Sequence, residues 1–201
     1  MRADATAREL VDPRTGASFP FDAGAHCLDF AHSGGEGPYA VFESLHRPSD
    51  LAEWFAGPPL GAVLTEAPTD LDLVEAKALR QAIWMAAHAA ADGRPPTGED
   101  VATINRAARW EPPVPHLDDS GTSMAWAAPV TAAQVLSFLA RDIIELLSGP
   151  MAGRIRECAS DDCPLVFVDT SRPGARRWCA MERCGNRHKQ RARRTRRAGE
   201  G

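Results

Sequence analysis

Residues 158–163 read CASDDC and residues 179–184 read CAMERC, so two cysteine pairs stand fifteen residues apart. Closely spaced cysteines of this kind lie on turns, and the thiolates of two such turns can converge on one tetrahedral ion, which is usually Zn²⁺. The predicted ligands of one zinc ion are therefore Cys158, Cys163, Cys179 and Cys184. Because protein sulfurs fill all four positions, the site is predicted to be structural rather than catalytic. Disulfides or an iron–sulfur cluster are the alternatives for these cysteines.

The residues around the two cysteine pairs predict a hairpin and a helix. Residues 164–168 read PLVFV, which is typical of a strand, and residues 169–174 contain turn-forming residues. Residues 176–178 are predicted to return as a second strand toward Cys179. This arrangement is a zinc-ribbon or treble-clef-like design. A module of about 45 residues is too small for an adequate apolar core, so zinc is predicted to be required for its folding.

Cationic and aromatic side chains near the cysteines are predicted to complete the zinc site. Four thiolates and one Zn²⁺ carry a formal double negative charge, which nearby cations can offset. The compensating charge is expected from Arg176, Arg177, Arg183 and Arg187. Of these, Arg176 and Arg177 are expected to surround the metal ligands together with Trp178. The Trp178 ring is predicted to cover the module, and the alternative is an exposed ring that stacks on bases.

A basic segment follows the last cysteine directly. Gly185 permits a tight turn, and Asn186 is a favourable residue for a helix start. The arginines that follow suit nucleic-acid recognition, because a planar guanidinium binds phosphate or guanine through two hydrogen bonds. The predicted nucleic-acid contacts are Arg187, Lys189, Gln190, Arg191, Arg193, Arg194, Arg196 and Arg197. Arg187 and Gln190 are the candidates for base edges, because groove-reading residues usually lie near a helix start.

Charge is distributed unequally along the chain, whose 201 residues carry a formal net charge of −4 at pH 7. Residues 1–150 contain 10 basic and 21 acidic side chains, a net charge of −11. Residues 151–201 contain 13 basic and 6 acidic side chains, a net charge of +7. This asymmetry predicts a nucleic-acid partner for the basic part. The alternative is a basic tail that serves solubility or contacts the acidic part.

The rest of the chain is predicted to be mainly helical. Residues 1–18 lack apolar periodicity and are predicted to fray, and residues 19–30 are expected to contain a strand, a glycine turn and a second strand or helix start. Apolar spacing and capping residues predict four helices, at residues 49–55, 69–91, 97–110 and 131–148. The predicted fold class is therefore α+β. A mainly helical front domain with a small β element (residues 19–150) precedes a zinc module with a basic helix (residues 151–201).

At these motifs the sequence resembles a known family. Residues 177–179 read RWC, residues 184–187 read CGNR and residues 167–171 read FVDTS, which resembles the signature of the CGNR zinc-finger proteins. The front domain is similar to the partner domain of that family, called ABATE, at residues 21–24, 27–30, 51–54, 78–83 and 126. The resemblance covers residues 19–197. It implies a bacterial transcription regulator, described for the family as stress-induced, with the four cysteines as zinc ligands.

A group of reactive residue types stands early in the front domain. His26, Cys27, Asp29 and His32 are the types that form a Cys–His catalytic pair or bind a second metal. In alternating structure His26 and Cys27 point to opposite faces, so core and turn roles are favoured. The sequence contains no nucleotide-binding glycine loop, serine elbow or paired-carboxylate motif. No catalytic residue is predicted, and the chain is predicted not to be an enzyme.

Together these features predict a transcription regulator that binds DNA through the zinc module. The acidic front domain is then expected to sense a small-molecule effector, to form a homodimer, or both. Because a basic zinc module does not distinguish duplex DNA from folded RNA, an RNA-binding or ribosome-associated protein is the first alternative. An enzyme with a pocket in the front domain is the second alternative. Its sign would be a loss of turnover in a folded variant of His26 or Asp29.

The expected location is the cytoplasm, with nucleoid association when the protein is bound to DNA. No apolar run approaches the ~20 residues that span a bilayer, and the N-terminus shows no apolar signal segment. No membrane partner is expected. Thiols stay reduced in the cytoplasm, which favours metal binding over disulfide formation.

Overall fold

A computed structural model describes residues 8–12, 15–35, 40 and 42–190 of the chain. Five predicted nucleic-acid contacts lie outside the described residues, namely Arg191, Arg193, Arg194, Arg196 and Arg197. Residues 1–7 of the predicted N-terminal segment also lie outside them. Within the described part of the chain, no helix is both long enough and apolar enough to cross a membrane.

The front domain is built mainly from helices, as predicted. They are α1 (His26–Ala31), α2 (Pro48–Ala56), α3 (Asp70–Ala91), α4 (Gly98–Ala107) and α5 (Ala132–Ser148). Thr69, Thr97 and Thr131 each accept a hydrogen bond from a backbone N–H in the first helical turn, which satisfies an amide that has no partner inside the helix. The predicted helix at 97–110 ends earlier than expected, at Ala107.

Helix α3 is the central element, because it packs against α1, α2, α4 and α5. Leu79 and Ile83 of α3 are buried together with Leu139 and Ile143 of α5. Full burial of one such side chain stabilises the fold by roughly 1.5–3 kcal/mol relative to exposure. The helical spacing of these residues therefore places a continuous apolar stripe of each helix in the core.

Three antiparallel pairs of short strands accompany the helices in the described residues. They are β1 (Arg8–Val11) with β2 (Ser18–Phe21), β3 (Pro115–Leu117) with β4 (Met124–Trp126), and β5 (Ile155–Glu157) with β6 (Val166–Val168). The predicted fraying of residues 1–18 is wrong for β1 and for Ser18. Phe19 and Phe21 alternate into the core along β2, and β1 pairs with the strand that they anchor.

The hairpin of the zinc module differs from the predicted one. Residues 166–168 form a strand as expected, but their partner is β5, which precedes the first cysteine pair. Residues 176–178 are not a strand, so that prediction was wrong. The first cysteine pair therefore occupies the connection inside a hairpin, where Cys158 N–H donates to Leu165 O at 2.9 Å.

The zinc module and the front domain share one apolar core, although the sequence suggested a division near residues 150–155. Leu165 and Phe167 are fully buried in the same cluster as the α3 and α5 side chains. Val168 N–H donates to Ala23 O at 2.8 Å, and His32 Nε2 lies 2.7 Å from Val166 O. Gly24 permits this approach, because a Cβ there would lie 3.1 Å from Val168 O. The module thus obtains from the front domain the burial that its own size does not supply.

Candidate metal centre

The four predicted zinc ligands converge in space. The Sγ atoms of Cys158, Cys163, Cys179 and Cys184 all lie within 4.8 Å of one another, and all four residues are buried. The Sγ atoms of Cys163 and Cys179 are 3.7 Å apart, and those of Cys179 and Cys184 are 3.4 Å apart. A tetrahedral Zn²⁺ with Zn–S bonds of about 2.3 Å requires S–S separations of about 3.8 Å. These sulfurs therefore fit one structural zinc ion, as predicted.

Two different turns position the two cysteine pairs. Residues 158–163 lie in the connection between β5 and β6, and Cys163 N–H donates to Ser160 O at 2.8 Å to close the first turn. Residues 181–185 form a single π-helical turn that leads into an α-helical segment at residues 186–190. Gly185 leaves room in this turn for its neighbours, because a Cβ there would approach the Met181 sulfur to 2.7 Å and the Trp178 ring to 3.3 Å, so the Met181 side chain would have to shift.

Hydrogen-bond donors surround the sulfurs. Arg183 Nη1 donates to Cys163 Sγ at 3.1 Å, and Arg187 Nη2 donates to Cys184 Sγ at 3.0 Å. The Cys179 backbone N–H points at Cys158 Sγ, 3.4 Å away. Donors of this kind stabilise thiolates and orient metal ligands, and two cationic donors offset the double negative charge of a four-thiolate zinc site.

The sulfurs strongly influence one another's ionisation. The contact with Cys158 is the largest cause that raises the pKa of both Cys163 and Cys179, whereas contacts with Cys158 and Cys163 lower the pKa of Cys184. Ionisation at one position therefore disfavours ionisation at its neighbours. A divalent cation among the sulfurs removes this conflict, because its charge stabilises all four thiolates together.

None of the predicted neighbours of the metal ligands, Arg176, Arg177 and Trp178, has a described hydrogen bond to a cysteine sulfur, and those of Arg176 run to backbone carbonyls. Arg176 Nη2 donates to Cys179 O at 2.6 Å and to Asp22 O at 3.0 Å, which links the second cysteine pair to the front domain. Trp178 is half-buried and packs against the core. Arg177 is exposed, and its guanidinium lies 5.2 Å from the centre of the Trp178 ring.

The structure describes three of the predicted nucleic-acid contacts. Lys189 and Gln190 are exposed on the helical segment that follows Cys184. Arg187 is only half-exposed, and besides Cys184 Sγ it lies 3.6 Å from an Asp162 carboxylate oxygen. Its guanidinium therefore belongs to the metal centre in this structure, while Lys189 and Gln190 face solvent.

Little in the sequence indicates that two residues, Arg183 and Asp12, take part in the metal centre. Arg183 was one of four arginines expected to offset charge, and nothing distinguished it from the others. Asp12, which accepts a hydrogen bond from Arg183 Nε at 2.6 Å, lies in the segment that was predicted to fray. A contact across 171 positions leaves no local pattern in the sequence.

The early histidine and cysteine residues lie on or just after α1 and are used in packing. The His26 ring packs against Phe138 with centroids 5.6 Å apart. Cys27 is fully buried, and burial, followed by the effect of Asp142, raises the pKa of its thiol well above the usual value. Burial lowers the pKa of His32 to about 4, so its ring is neutral at pH 7. Among the described residues, the cluster suited to a metal is the four-cysteine one.

The front domain also contains a cavity of about 580 Å³ beside β1, α1 and α2. Arg8, Asp29, Ser33 and Trp54 contribute to its lining. The Arg8 guanidinium lies 3.6 Å from the centre of the Trp54 ring. Burial lowers the pKa of Arg8 to about 10, and the negative charge of Asp29 opposes that shift. The volume is within the usual range for small-molecule sites.

Fold and site together define a zinc-finger protein whose metal module packs on a helical domain. Residues 24–150 match the ABATE family, described as "Putative stress-induced transcription regulator", and residues 154–197 match the CGNR zinc finger. A search of the curated proteins found no match. Because the ABATE match covers more than half of the chain, the protein belongs to the ABATE family, and it carries a CGNR zinc finger. The resemblance seen in the sequence is thereby confirmed.

Proposed function

We propose that this protein is a transcription regulator that binds duplex DNA through the helical segment after Cys184 and the basic residues that follow it. The observation that carries the proposal is the position of that segment. It starts at a buried metal ligand, exposes Lys189 and Gln190, and continues in sequence into Arg191, Arg193, Arg194, Arg196 and Arg197. A zinc centre can fix the start of such a helix, and the arginines then supply phosphate contacts.

The division of roles among the basic residues follows from their surroundings. Arg187 donates to a metal-ligand sulfur, so we assign it to the metal centre instead of a base edge. Gln190 remains the candidate for a base edge, because it is exposed near the helix start. Lys189 and the five arginines beyond it are assigned to phosphates, which contribute affinity without reading sequence.

The front domain is proposed to sense a small molecule, to form a homodimer, or both. The cavity lined by Arg8, Asp29 and Trp54 supports the first role, because charged groups beside an aromatic ring can orient a small ligand. One short basic module binds weakly, so a second copy would increase affinity through effective concentration. A ligand in this cavity would change the affinity of the protein for DNA only if the ligand binds the DNA-free and the DNA-bound protein with different affinities.

A binding titration with matched variants tests the DNA proposal. The zinc-loaded full-length protein is titrated against a pool of random-sequence duplexes, beside Arg191→Ala/Arg194→Ala. The control, Arg106→Ala/Arg109→Ala, removes the same charge from exposed positions of the front domain. We expect the first variant to lose at least tenfold in affinity and the control to bind within about twofold of the wild type, because charge at a phosphate contact counts more than overall charge.

The same titration with folded RNA distinguishes a DNA-binding regulator from the alternative, an RNA-binding protein. Binding of duplex DNA that the tail variant weakens and the control retains supports the regulator. Preference for folded RNA over duplex, with zinc bound, would instead favour the RNA-binding protein, because both partners offer phosphates but differ in groove shape.

A further inference from the structure

A buried ion pair connects the N-terminal hairpin to the metal centre. Arg183 Nε donates to Asp12 Oδ2 at 2.6 Å, and only 6% of the Arg183 side chain and 8% of the Asp12 side chain are exposed. Asp12 follows β1 directly, and the Arg183 guanidinium also lies 4.7 Å from the centre of the Phe19 ring of β2. The two strands therefore enclose one side of this guanidinium.

The opposite edge of the same guanidinium faces the sulfurs. Arg183 Nη1 is 3.1 Å from Cys163 Sγ and lies 3.8 Å and 3.9 Å from the Sγ atoms of Cys179 and Cys184. Because a guanidinium is planar and rigid, a bond that fixes its Nε edge also fixes where Nη1 points. No described hydrogen bond joins Asp12 to a sulfur, but Asp12 fixes the direction of the cation that donates to one.

The charges in this region favour such a bridge. A four-thiolate zinc site has a formal double negative charge, and Arg183 and Arg187 each donate to one of its sulfurs. The Arg183 guanidinium lies within hydrogen-bond distance of the Asp12 carboxylate on one edge and of Cys163 Sγ on the other. Arg183 is thus a fixed cation between a carboxylate and the thiolates.

We propose that Asp12 is a positioning residue of the zinc centre, acting through Arg183, and that the β1–β2 hairpin and the metal stabilise each other. Bound zinc fixes the thiolates that attract Arg183, and Arg183 in turn fixes the end of β1. By thermodynamic linkage, the free energy by which bound zinc stabilises the folded hairpin equals the free energy by which the folded hairpin strengthens zinc binding. This proposal does not depend on DNA binding.

The kinetics of zinc release test the role of Asp12. The zinc-loaded full-length protein is mixed with a chromophoric chelator, and zinc transfer is followed for the wild type, Asp12→Asn and Arg183→Met. Loss of a residue that orients metal ligands typically costs 10–100-fold in metal affinity. We expect Asp12→Asn and Arg183→Met each to release zinc at least tenfold faster. The double variant should release it no faster than Arg183→Met alone, because Asp12 acts through Arg183.

The matched control is Glu43→Gln, which breaks another inward-facing arginine pair, Arg80 with Glu43, at 2.6 Å and 2.8 Å. This pair lies in the front domain and has no described hydrogen bond to a cysteine, so its loss should leave zinc transfer within about twofold of the wild type. Equal release rates for Asp12→Asn and Glu43→Gln would overturn the proposal, because they would reveal only general destabilisation.

Hydrogen exchange of the wild type tests the reciprocal effect without any variant. On zinc removal, the amides of β1 and β2 are expected to lose at least tenfold in protection, more than those of the β3–β4 hairpin. The comparison with β3–β4 corrects for general loosening, because that hairpin contacts none of the metal ligands through a described hydrogen bond. Unchanged protection of β1 and β2, or equal loss in both hairpins, would contradict the mutual stabilisation.

Discussion

Helix α5 and the segment around Cys184 belong to the same fold but are stabilised in different ways. Helix α5 buries Val135, Leu139, Ile143 and Leu146 in one apolar stripe. The segment around Cys184 buries Arg183 and Gly185 instead, and its interactions run to sulfur, to carboxylates and to a metal site. Apolar burial tolerates small errors in position, whereas charged groups in the interior need partners at defined distances. The metal centre should therefore respond more sharply to single changes than the helices do.

The largest expected effect is the loss of zinc. In Cys184→Ser one thiolate is missing, and structural zinc binding supplies apparent free energies of ~10–16 kcal/mol in zinc-finger peptides. We expect less than one zinc per chain, measured by metal analysis, and the largest fall in Tm of any variant here. Cys27→Ala is the control, because Cys27 is equally buried but is not among the four clustered sulfurs. A Cys184→Ser protein with one tightly bound zinc and an unchanged Tm would contradict the metal centre.

The next effect tests whether the two regions unfold together. Phe167 is fully buried on β6, and Phe→Ala changes in cores cost about 3–5 kcal/mol. In Phe167→Ala, urea unfolding followed by helical circular dichroism and by zinc release should shift by the same amount, because both regions share one core. Leu139→Ala on α5 is the companion variant and should shift both signals too. Separate transitions for the two signals would mean that the regions are independent units.

His32 provides a test of the contact between the regions through pH. Its pKa is lowered to about 4 in the folded protein by burial, whereas an unfolded histidine titrates near 6.5. Between these values the unfolded chain binds more protons, so stability is lost as the pH falls from about 6.5 toward 4, by roughly 3 kcal/mol in all. His32→Gln removes the titrating group and can still donate to Val166 O.

Urea unfolding at several pH values, with zinc kept in excess, measures this dependence. The free energy of unfolding of the wild type should fall more steeply below pH 6.5 than that of His32→Gln. Parallel pH profiles for the two proteins would show that His32 is not buried as a neutral ring between α1 and β6.

The smallest effect concerns one helix start. Thr131 caps α5 through the Gln134 backbone N–H, and loss of such a cap costs about 1 kcal/mol. Thr131→Ala should therefore lower the free energy of unfolding by about 1 kcal/mol without changing zinc content. Thr103→Ala, inside α4, is the control and should change stability by less than about 0.5 kcal/mol. A cap variant as stable as the control would mean that Thr131 is not needed to begin α5.

The difference between apolar helices and a charged metal centre also explains which features the sequence could predict. Helices α3 and α5 were predicted because their signals are local, with apolar residues at helical spacing and a threonine cap at each start. The four metal ligands were predicted because their spacing is itself the signal. The small β elements were missed or misplaced because they are short and their pairing, although close in sequence, is fixed by burial of the partner strand. Strand β1 contains only charged and apolar residues without a turn signal of its own, and its partner is fixed by Phe19 and Phe21.

One stretch of the sequence indicates that the zinc module packs against the front domain. Residues 165–168 read LVFV, a continuous apolar run in which both strand faces are buried in the structure. A zinc module of this size has too little of its own surface to cover both faces, so the run required a covering partner. The sequence does not show which part of the chain covers this run. It also does not show that Asp12 and Asp22 contact arginines of the module, because these contacts join residues more than 150 positions apart.

The salt dependence of DNA affinity tests the central functional claim most directly. The affinity of the zinc-loaded protein for duplex DNA is measured from low to moderate salt, and its logarithm is plotted against the logarithm of salt concentration. Six phosphate contacts, from Lys189 and the five arginines beyond it, predict a slope of about −5. A slope near zero, or no duplex binding at low salt with zinc bound, would contradict the proposal that the basic segment after Cys184 binds DNA.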